Sequence, residues 1–345
     1  MASPGAARPI YRSKSGVRRL RPPATPNIAT SPVLWSPNRL KRFSTVVPEI
    51  GSSGRAQPVW RLGSVLKFCL GLSRVERSRI WRLGGASING APAGAPFLHC
   101  RPGDLVAAWY PEAESSVTPE TELAGQLRVL YEDQWLLAID KPAGMLSHPA
   151  RSEQHGTAAN AVAARYAGGG DVISPIRPVH RLDRDTSGVL LFAREARVAG
   201  SLARQRSAGT LGREYVALVT GRPPAEGEVT QPLAPDPTHR TRQLVSPDGR
   251  EARTTYRVIQ YGAGGTLIAA RLHTGRTHQL RAHMTALGHP LLGDGLYGGP
   301  DAPPLARQAL HAWRLRLRHP ITHQPLTITA PLPPDLREAA RAALL

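Results

Sequence analysis

The sequence predicts a protein of the α+β class, built on a mixed β-sheet, with a smaller domain preceding the main one. Strand-like runs of alternating or clustered apolar residues outnumber helix-like runs in the C-terminal part of the chain. The two kinds of run do not alternate regularly, so the repeated strand–helix–strand units of a parallel sheet are not expected. The predicted strands are 189–194, 214–219, 255–261, 267–273 and 310–317, and the predicted helices are 195–207, 277–287 and 334–345.

Length and composition exclude several classes of protein. At roughly 150 residues per domain, a chain of 345 residues with 41% hydrophobic residues allows two domains and a tail. The two cysteines, Cys69 and Cys100, lack the paired spacing of a zinc site or a disulfide framework, which favours a reducing compartment. No apolar stretch reaches the roughly 20 residues of a spanning helix. We therefore expect no membrane partner and a location in the cytoplasm.

The charge balance points to a polyanionic partner. Lys and Arg number 44 against 25 Asp and Glu, which gives a formal net charge of +19, and almost all of the cations are arginines. Guanidinium groups bind phosphates with two parallel hydrogen bonds and stack on bases, so nucleic acid is favoured over a membrane surface. A GC-rich genome would explain the preference for Arg over Lys, but it would not explain the shortage of acidic residues.

Composition divides the chain into four segments. Residues 1–57 are basic, rich in Pro, Ser and Gly, and contain no acidic residue before Glu49, so they are predicted to be a disordered tail. An organelle transit peptide, an RNA-binding tail and a mis-assigned start codon all fit this composition. A small basic domain is predicted over 58–111, an acidic linker with prolines over 112–126, and a large domain over 127–345.

The small domain is predicted to contain two basic helices followed by short strands. Apolar residues at helical spacing mark the first helix: Leu62, Val65, Leu66, Cys69 and Leu70. Ser73 is predicted to cap the second helix, and the phrases Ile-Asn-Gly and Pro-Gly-Asp are predicted to form turns. Lys67, Arg74 and Arg77 are candidate RNA contacts, and the alternative for them is an ordinary solvated face. The whole order of phrases resembles the S-four-like RNA-binding domain, although Gly63 stands where that family usually has Asp.

The large domain contains the most informative segment, PVHRLDRDTSGVLLFAR, in which a polar loop with two carboxylates leads directly into an apolar strand. This segment resembles the signature of the RluA-type pseudouridine synthases. Further phrases match that family in order, which makes the resemblance specific over about 127–331. They are YEDQWLLAIDKPAGMLSHP, REYVALVTG, LHTGRTHQLRAHMTALGHPLLGDGLYG and ALHAWRLRLRHPIT. The resemblance implies a mostly antiparallel sheet and the isomerisation of uridine in RNA to pseudouridine.

The resemblance also assigns the catalytic residues. Asp183 is the reactive carboxylate, and its order of action, first as nucleophile or first as base on the ribose, stays open. An ionised carboxylate in a dry pocket needs a partner, and Arg276 is the cation that the family match supplies. Leu280, four residues further on a predicted helix, would share a face with Arg276 and form an apolar wall under the base. Tyr215 would stack on the uracil, and its hydroxyl would move a proton at the carbon that becomes attached.

Two further residues are predicted to contact the substrate. Arg181 matches the arginine that fills the space left when the target nucleotide leaves its stack, and His180 precedes it. An isomerisation neither gains nor loses atoms, so neither a cofactor nor a metal is expected, and the sequence contains no phosphate-binding loop. The histidines most suggestive of a metal site are scattered without ligand spacing. They are His180, His273, His278, His283 and His311.

The sequence therefore predicts an RNA pseudouridine synthase that acts as a monomer without an obligate protein partner. Ribosomal RNA of the large subunit is favoured over transfer RNA, because an added RNA-binding domain suits a large structured substrate. The alternative is a non-catalytic RNA-binding or ribosome-assembly protein on the same fold, and the presence of Asp183, Tyr215 and Arg276 argues against it. A glycosidase with Asp183 and Asp185 as its carboxylate pair is disfavoured, since two residues of one turn do not suggest opposed carboxylates.

Overall fold

The computed structural model describes residues 40–48, 59–72, 74–111, 117–150, 153–167 and 177–345. Most of the predicted tail, the Ser73 cap and residues 112–116 of the predicted linker lie outside these ranges. The structure comprises an N-terminal sheet with its helices, over residues 40–111, and a larger C-terminal sheet with its helices, over residues 117–345.

The N-terminal sheet has a hydrophobic core of its own. Its strands are β1 (Leu40–Val46), β2 (Trp60–Arg61), β3 (Gly85–Ile88), β4 (Ala91–Pro92), β5 (His99–Cys100) and β6 (Leu105–Pro111), and its helices are α1 (Leu62–Ser64) and α2 (Arg74–Leu83). The sheet order is β1-β6-β3-β4, while β2 pairs with β5. A π-helical turn continues α1, and Leu62, Val65 and Leu66 are buried as their helical spacing predicts. Asn89 and Gly90 have left-handed backbone angles, with φ of 50° and 82°, at the predicted Asn-Gly turn.

The prediction that residues 1–57 form a disordered tail is wrong for residues 40–48. β1 pairs antiparallel with β6 along its whole length, ending with Val46 opposite Leu105. Phe43 stacks on Tyr110 with the ring centroids 5.8 Å apart. The basic composition concealed this short strand, because its pairing partner lies more than fifty residues later in the chain and only tertiary contact stabilises it.

The prediction of a linker over 112–126 is also wrong for residues 117–126. The backbone carbonyl of Thr118 accepts a hydrogen bond of 2.8 Å from the Asn160 side-chain amide. The carboxylate of Glu120 accepts bonds from the backbone N–H of Gly156. A short helix, α3 (Thr121–Ala124), follows. These residues therefore belong to the C-terminal part of the structure, because their polar groups are satisfied there.

The C-terminal sheet is mixed and mostly antiparallel, which confirms the predicted fold class. Its strands are β7 (Arg128–Glu132), β8 (Leu136–Lys141), β9 (Arg177–Pro178), β10 (Ser187–Ala193), β11 (Gly212–Val219), β12 (Glu226–Val229), β15 (Thr254–Tyr261), β16 (Thr266–Leu272), β17 (Leu310–Arg318) and β18 (Pro325–Thr329). A separate ribbon consists of β13 (Leu233–Pro235) and β14 (Gln243–Val245). The main order is β12-β15-β16-β11-β17-β10-β8-β7, with β18 beside β17 and β9 beside β10. β10 and β17 pair in parallel.

The alternation of side chains along β10 creates a separate hydrophobic core on each face of the sheet. Leu190 and Phe192 point into one core, and Val189 and Leu191 point into the other. Tyr215 on β11 lies in the same core as Leu190 and Phe192. The loop before β10 and the start of β11 are thus held on one rigid sheet, which positions the groups described below.

Four longer helices accompany the sheet, and three of them were predicted within a few residues. They are α4 (Ala158–Ala167), α5 (Ala196–Ser207), α6 (Gln279–Ala286) and α7 (Pro334–Leu344). The predicted helix at 277–287 begins two residues later, at Gln279. None of the helices in the described part of the chain has the length and apolarity needed to cross a membrane.

Candidate active site

Asp183 lies in a loop that is fixed immediately before β10. The backbone N–H of Leu182 donates to Oγ of Ser147 at 2.9 Å, and that hydroxyl donates to the Leu182 carbonyl at 2.8 Å. The Leu182 side chain is buried in the core below. The backbone N–H of Thr186 donates to the Asp183 carbonyl at 3.1 Å and closes a turn. The Asp183 carboxylate is therefore presented from a rigid backbone, with 26% of its side chain exposed.

Two buried cations support this loop from behind. The ammonium of Lys141 donates to the carbonyls of Pro142, Met145 and Arg184 at 2.7 to 2.8 Å. The guanidinium of Arg307 donates to the Asp185 carbonyl at 3.0 Å. Burial lowers the pKa of Lys141 to about 7, and the nearby carboxylates of the loop oppose this effect.

We expect the pH dependence of stability to report on Lys141. The unfolded chain keeps a proton on this amine up to its ordinary pKa of 10.5, whereas the folded protein releases it above about 7. Between these values the unfolded state binds more protons, so the free energy of unfolding rises with pH. Urea unfolding should show the wild-type protein gaining stability relative to Lys141→Met as pH rises from about 7 to about 10. A difference that is flat or falls in this window would contradict the burial effect.

Asp183 forms an ion pair with Arg281, and not with the predicted Arg276. Nη1 of Arg281 lies 3.7 Å from Oδ2 of Asp183. Nε and Nη2 of the same guanidinium donate to the two carboxylate oxygens of Asp294, each at 2.7 Å. This two-point contact fixes the plane of Arg281 and directs its remaining nitrogen toward Asp183. Although burial by itself lowers the pKa of Arg281, the carboxylates of Asp294 and Asp183 raise it overall.

Arg276 occupies a different place because the helix begins after it. The residue before α6, His278, has a left-handed backbone with φ of 52°, so Arg276 precedes the first helical turn. Its Nε donates to the Glu251 carbonyl at 2.8 Å. Arg276 and Leu280 therefore do not share a helical face, which corrects the predicted pairing of these two residues. Leu280 is buried in the same core as Tyr215.

Tyr215 is almost fully buried on β11 and lines the same pocket as Asp183. Burial raises the pKa of Tyr215; Arg213 lowers it and Asp183 raises it. At neutral pH the side chain is thus a neutral phenol with an aromatic ring. Such a group can stack on a base and can exchange a proton, but it does not carry a standing negative charge.

The pocket around Asp183 has a volume of about 830 Å³ and a strongly positive wall. Arg181 is exposed on this wall and His180 lines the pocket beside it, and their contacts with the substrate stay predictions. The His180 ring is buried, and its Nε2 accepts a hydrogen bond from the Leu191 backbone N–H at 3.4 Å. Burial and the neighbouring cations Arg213 and Arg206 lower the pKa of His180 to about 3, so the ring is a neutral part of the wall.

The three basic residues predicted to contact RNA from the small domain lie on its helices. Lys67 and Arg74 are exposed, and the Lys67 ammonium lies 4.5 Å from the centroid of the exposed Phe68 ring. Arg77 is half-buried, and its guanidinium donates to the Leu72 carbonyl. None of the three belongs to the lining of the Asp183 pocket.

Arg281, Asp294 and Arg213 belong to this site but were not predicted from the sequence. Arg281 stands in the same phrase as Arg276, and a carboxylate in the apolar phrase LLGDGLYGG was the available signal for Asp294. Asp294 begins a turn, since its carbonyl accepts bonds from the N–H groups of Tyr297 and Gly299. Within the described ranges, no group of three or more His, Cys, Asp or Glu side chains is arranged to hold a metal ion.

Comparison with known proteins gives consistent matches. The family model described as RNA pseudouridylate synthase matches residues 135–286. A protein of Nitrosomonas europaea named ribosomal large subunit pseudouridine synthase D is 42% identical over 224 residues, covering 63% of this chain and 65% of that protein. The chain thus spans slightly less than two thirds of that relative.

Two further matches extend the comparison. A protein of Xanthomonas campestris with the same name is 36% identical over 296 residues, covering 78% of this chain and 88% of that protein. The solved structure of human RNA pseudouridylate synthase domain containing 1 is similar with a TM-score of 0.51 and 26% identity. It covers 61% of this chain and 85% of that chain.

Proposed function

The chain belongs to the RNA pseudouridine synthase family, and we propose that it isomerises uridines of large-subunit ribosomal RNA to pseudouridine. The observation that carries this proposal is the arrangement around Asp183. Its carboxylate is held on a rigid loop, paired with a fixed guanidinium, and open to a cationic pocket that also contains Tyr215. A carboxylate, an aromatic ring and a positive wall are what a flipped-out nucleotide requires.

The reaction rearranges bonds within one nucleotide. The bond between ribose C1′ and uracil N1 breaks, the base turns, a new bond forms between C1′ and C5, and the proton of C5 is lost while N1 gains one. Asp183 would act on the ribose, either as a nucleophile that bonds to C1′ as N1 leaves and is released when C5 attacks, or as a base that removes a ribose proton and later returns it. The guanidinium of Arg281, 3.7 Å away, would orient this carboxylate and balance its negative charge.

The other residues would position the base. Arg181, exposed on the pocket wall, would enter the space from which the nucleotide is withdrawn and offset part of the cost of unstacking. The ring of Tyr215 would face the uracil while it turns, and its neutral hydroxyl would exchange the proton at C5. Leu280 lies in the same core as Tyr215, and the apolar wall that it would form under the base stays a prediction.

We expect Tyr215→Phe to separate the two roles of this side chain. The substitution keeps the ring and removes the hydroxyl, so RNA affinity should be unchanged while formation of pseudouridine slows by about 10²- to 10⁴-fold. Single-turnover release of tritium from C5-labelled RNA measures the rate, and filter binding measures the affinity. A rate close to that of the wild-type protein would restrict Tyr215 to stacking.

The proposed substrate rests on the names of the bacterial relatives and on the basic N-terminal sheet. Because these relatives are bacterial, we place the reaction in the cytoplasm of a bacterium. Lys67, Arg74 and Arg77 would contact ribosomal RNA through phosphates, as in an S-four-like domain. A non-catalytic RNA-binding protein is the competing proposal. It is disfavoured because a protein that only binds RNA has no need for a partly exposed carboxylate, Asp183, beside a pocket of this size.

We expect deletion of residues 1–111 to leave a folded but weakly binding enzyme. Among the described residues, the core beside the N-terminal sheet is formed within residues 43–110, and Val117 and Leu127 pack against the core of the C-terminal part. Because fewer phosphates are contacted, the logarithm of the affinity for large-subunit RNA should depend less steeply on the logarithm of the salt concentration. An insoluble fragment or an unchanged slope would contradict this division of roles.

The proposed function is tested with three tritium-labelled transcripts: large-subunit ribosomal RNA, small-subunit ribosomal RNA and a transfer RNA mixture. We expect the wild-type protein to release tritium from the large-subunit transcript. Release from transfer RNA alone would overturn the proposed substrate, and release from none of the three would overturn the proposed activity on naked RNA.

A further inference from the structure

Arg213 is a buried cation on the wall of the Asp183 pocket, and no described residue places a carboxylate beside it. Its side chain is 6% exposed. Within the described part of the chain, the groups that act on its charge are Tyr215 and a second cation, Arg206, and no carboxylate is among them. Burial lowers the pKa of Arg213, which is the expected response of a guanidinium removed from water. A buried charge without a partner costs free energy, so its retention calls for a reason.

The hydrogen bonds of Arg213 orient the guanidinium but leave part of it unused. Nη2 donates to the carbonyls of Leu272 and Thr274 at 3.2 and 2.8 Å, whereas the buried Nε has no hydrogen-bond partner among the described residues. Nη1 lies against the backbone at Gly275, where an added Cβ would stand only 2.5 Å from it. The absence of a side chain at Gly275 therefore makes room for this guanidinium.

The position of Arg213 relative to Tyr215 suggests what its partner is. The two residues are separated by one position on β11, which places their side chains about 7 Å apart on one face of the strand. The intervening Glu214 pairs instead with Arg314 of the neighbouring strand. A nucleotide whose base faces Tyr215 would thus extend its sugar–phosphate backbone past Arg213.

We propose that Arg213 binds a phosphate group adjacent to the target uridine and thereby forms a phosphate subsite inside the pocket. This inference rests on the proposed function, because it requires a nucleotide in the pocket. Arginine is the side chain that best matches the geometry of a phosphate, and a phosphate would supply the negative charge that no described residue places beside Arg213. Among the described residues that line the pocket, five are arginines and Asp183 is the one carboxylate, so an anion is favoured throughout the cavity. The arginines are Arg181, Arg184, Arg206, Arg213 and Arg276.

Calorimetric titration of the full-length protein with uridine 3′,5′-bisphosphate and with uridine tests this subsite. The wild-type protein should bind the bisphosphate at least about tenfold more tightly than uridine. Arg213→Gln keeps an amide that can donate to the Leu272 or Thr274 carbonyl but removes the charge. The ratio of the affinity for the bisphosphate to the affinity for uridine should therefore fall toward one, while the affinity for uridine stays the same. The 5′- and 3′-monophosphates of uridine then identify which phosphate is bound.

Two further variants separate geometry from general charge. Gly275→Ala retains Arg213 but displaces its guanidinium, so the preference for the bisphosphate should fall. Arg257→Gln removes an exposed arginine of β15 outside the pocket lining and should leave the preference unchanged. Thermal melting of each variant shows that it is folded.

The subsite is overturned if the wild-type protein does not prefer the bisphosphate, or if folded Arg213→Gln keeps the preference. Both results are independent of turnover. If the protein binds the bisphosphate through Arg213 but releases no tritium from any RNA, the proposed subsite stands and the proposed reaction is contradicted. A protein that reacts with ribosomal RNA but shows no preference would retain the reaction and lose the subsite.

Discussion

Asp183→Asn is expected to lower the single-turnover rate of pseudouridine formation by about four orders of magnitude or more. The substitution keeps the shape of the side chain and removes the charge that acts on the ribose. Folding should be nearly unaffected, because Arg281 keeps its two bonds to Asp294 and the lost contact of 3.7 Å involves a partly exposed carboxylate. Such a pair contributes about 1 kcal/mol or less.

Asp185→Asn is the matched control for this experiment. Asp185 lies in the same turn and its carbonyl accepts a bond from Arg307, which the substitution does not remove. We expect the control to stay within about tenfold of the wild-type rate at saturating RNA. Activity of Asp183→Asn within tenfold of wild type would remove Asp183 from the chemistry, and equal losses in both variants would indicate a shared structural effect.

Arg281→Met is expected to have the second largest effect, on stability as well as on rate. It leaves the carboxylate of Asp294, which is 1% exposed, without its partner. Leaving one member of a buried ion pair uncompensated costs about 3–5 kcal/mol of unfolding free energy. The rate should fall by about 10²- to 10³-fold, because the charge that orients Asp183 is lost.

The double variant Arg281→Met with Asp294→Asn separates the two effects. Neutralising Asp294 removes the uncompensated charge, so urea unfolding should show that much of the lost stability returns. The rate should stay low, because Asp183 still lacks its cation. Recovery of both stability and rate would mean that Arg281 only holds Asp294. Arg276→Met, in contrast, should leave the rate at saturating RNA close to that of wild type.

Runs of apolar residues and helical periodicity made much of the C-terminal part predictable from the sequence. The strand at 187–193 is a short apolar run because both of its faces are buried, and the helix at 196–207 has a period of about 3.6 residues because it buries one face. The strand at 40–46 was missed because its basic residues hide a pattern that only pairing with a distant strand stabilises. The same holds for residues 117–126, whose polar groups find partners far along the chain.

The site residues that lie on or next to a predicted strand could be predicted from the sequence. The pairs of side chains that meet only in the folded chain could not. Asp183 and Tyr215 are placed by the strands that follow or contain them. Arg276 and Arg281 are five residues apart in one phrase. Because the left-handed backbone of His278 makes the helix begin at Gln279, Arg281 lies on the helix and reaches Asp183, whereas Arg276 lies before it. Neither composition nor periodicity indicates such a single backbone conformation.

Pseudouridine mapping of large-subunit ribosomal RNA tests the central claim most directly. The RNA is taken from cells in which the gene encodes either the wild-type protein or Asp183→Asn, expressed at equal levels. We expect at least one uridine to be modified fully with the wild-type gene and not at all with the variant. Identical maps from the two strains would contradict the claim that this protein modifies that RNA through Asp183.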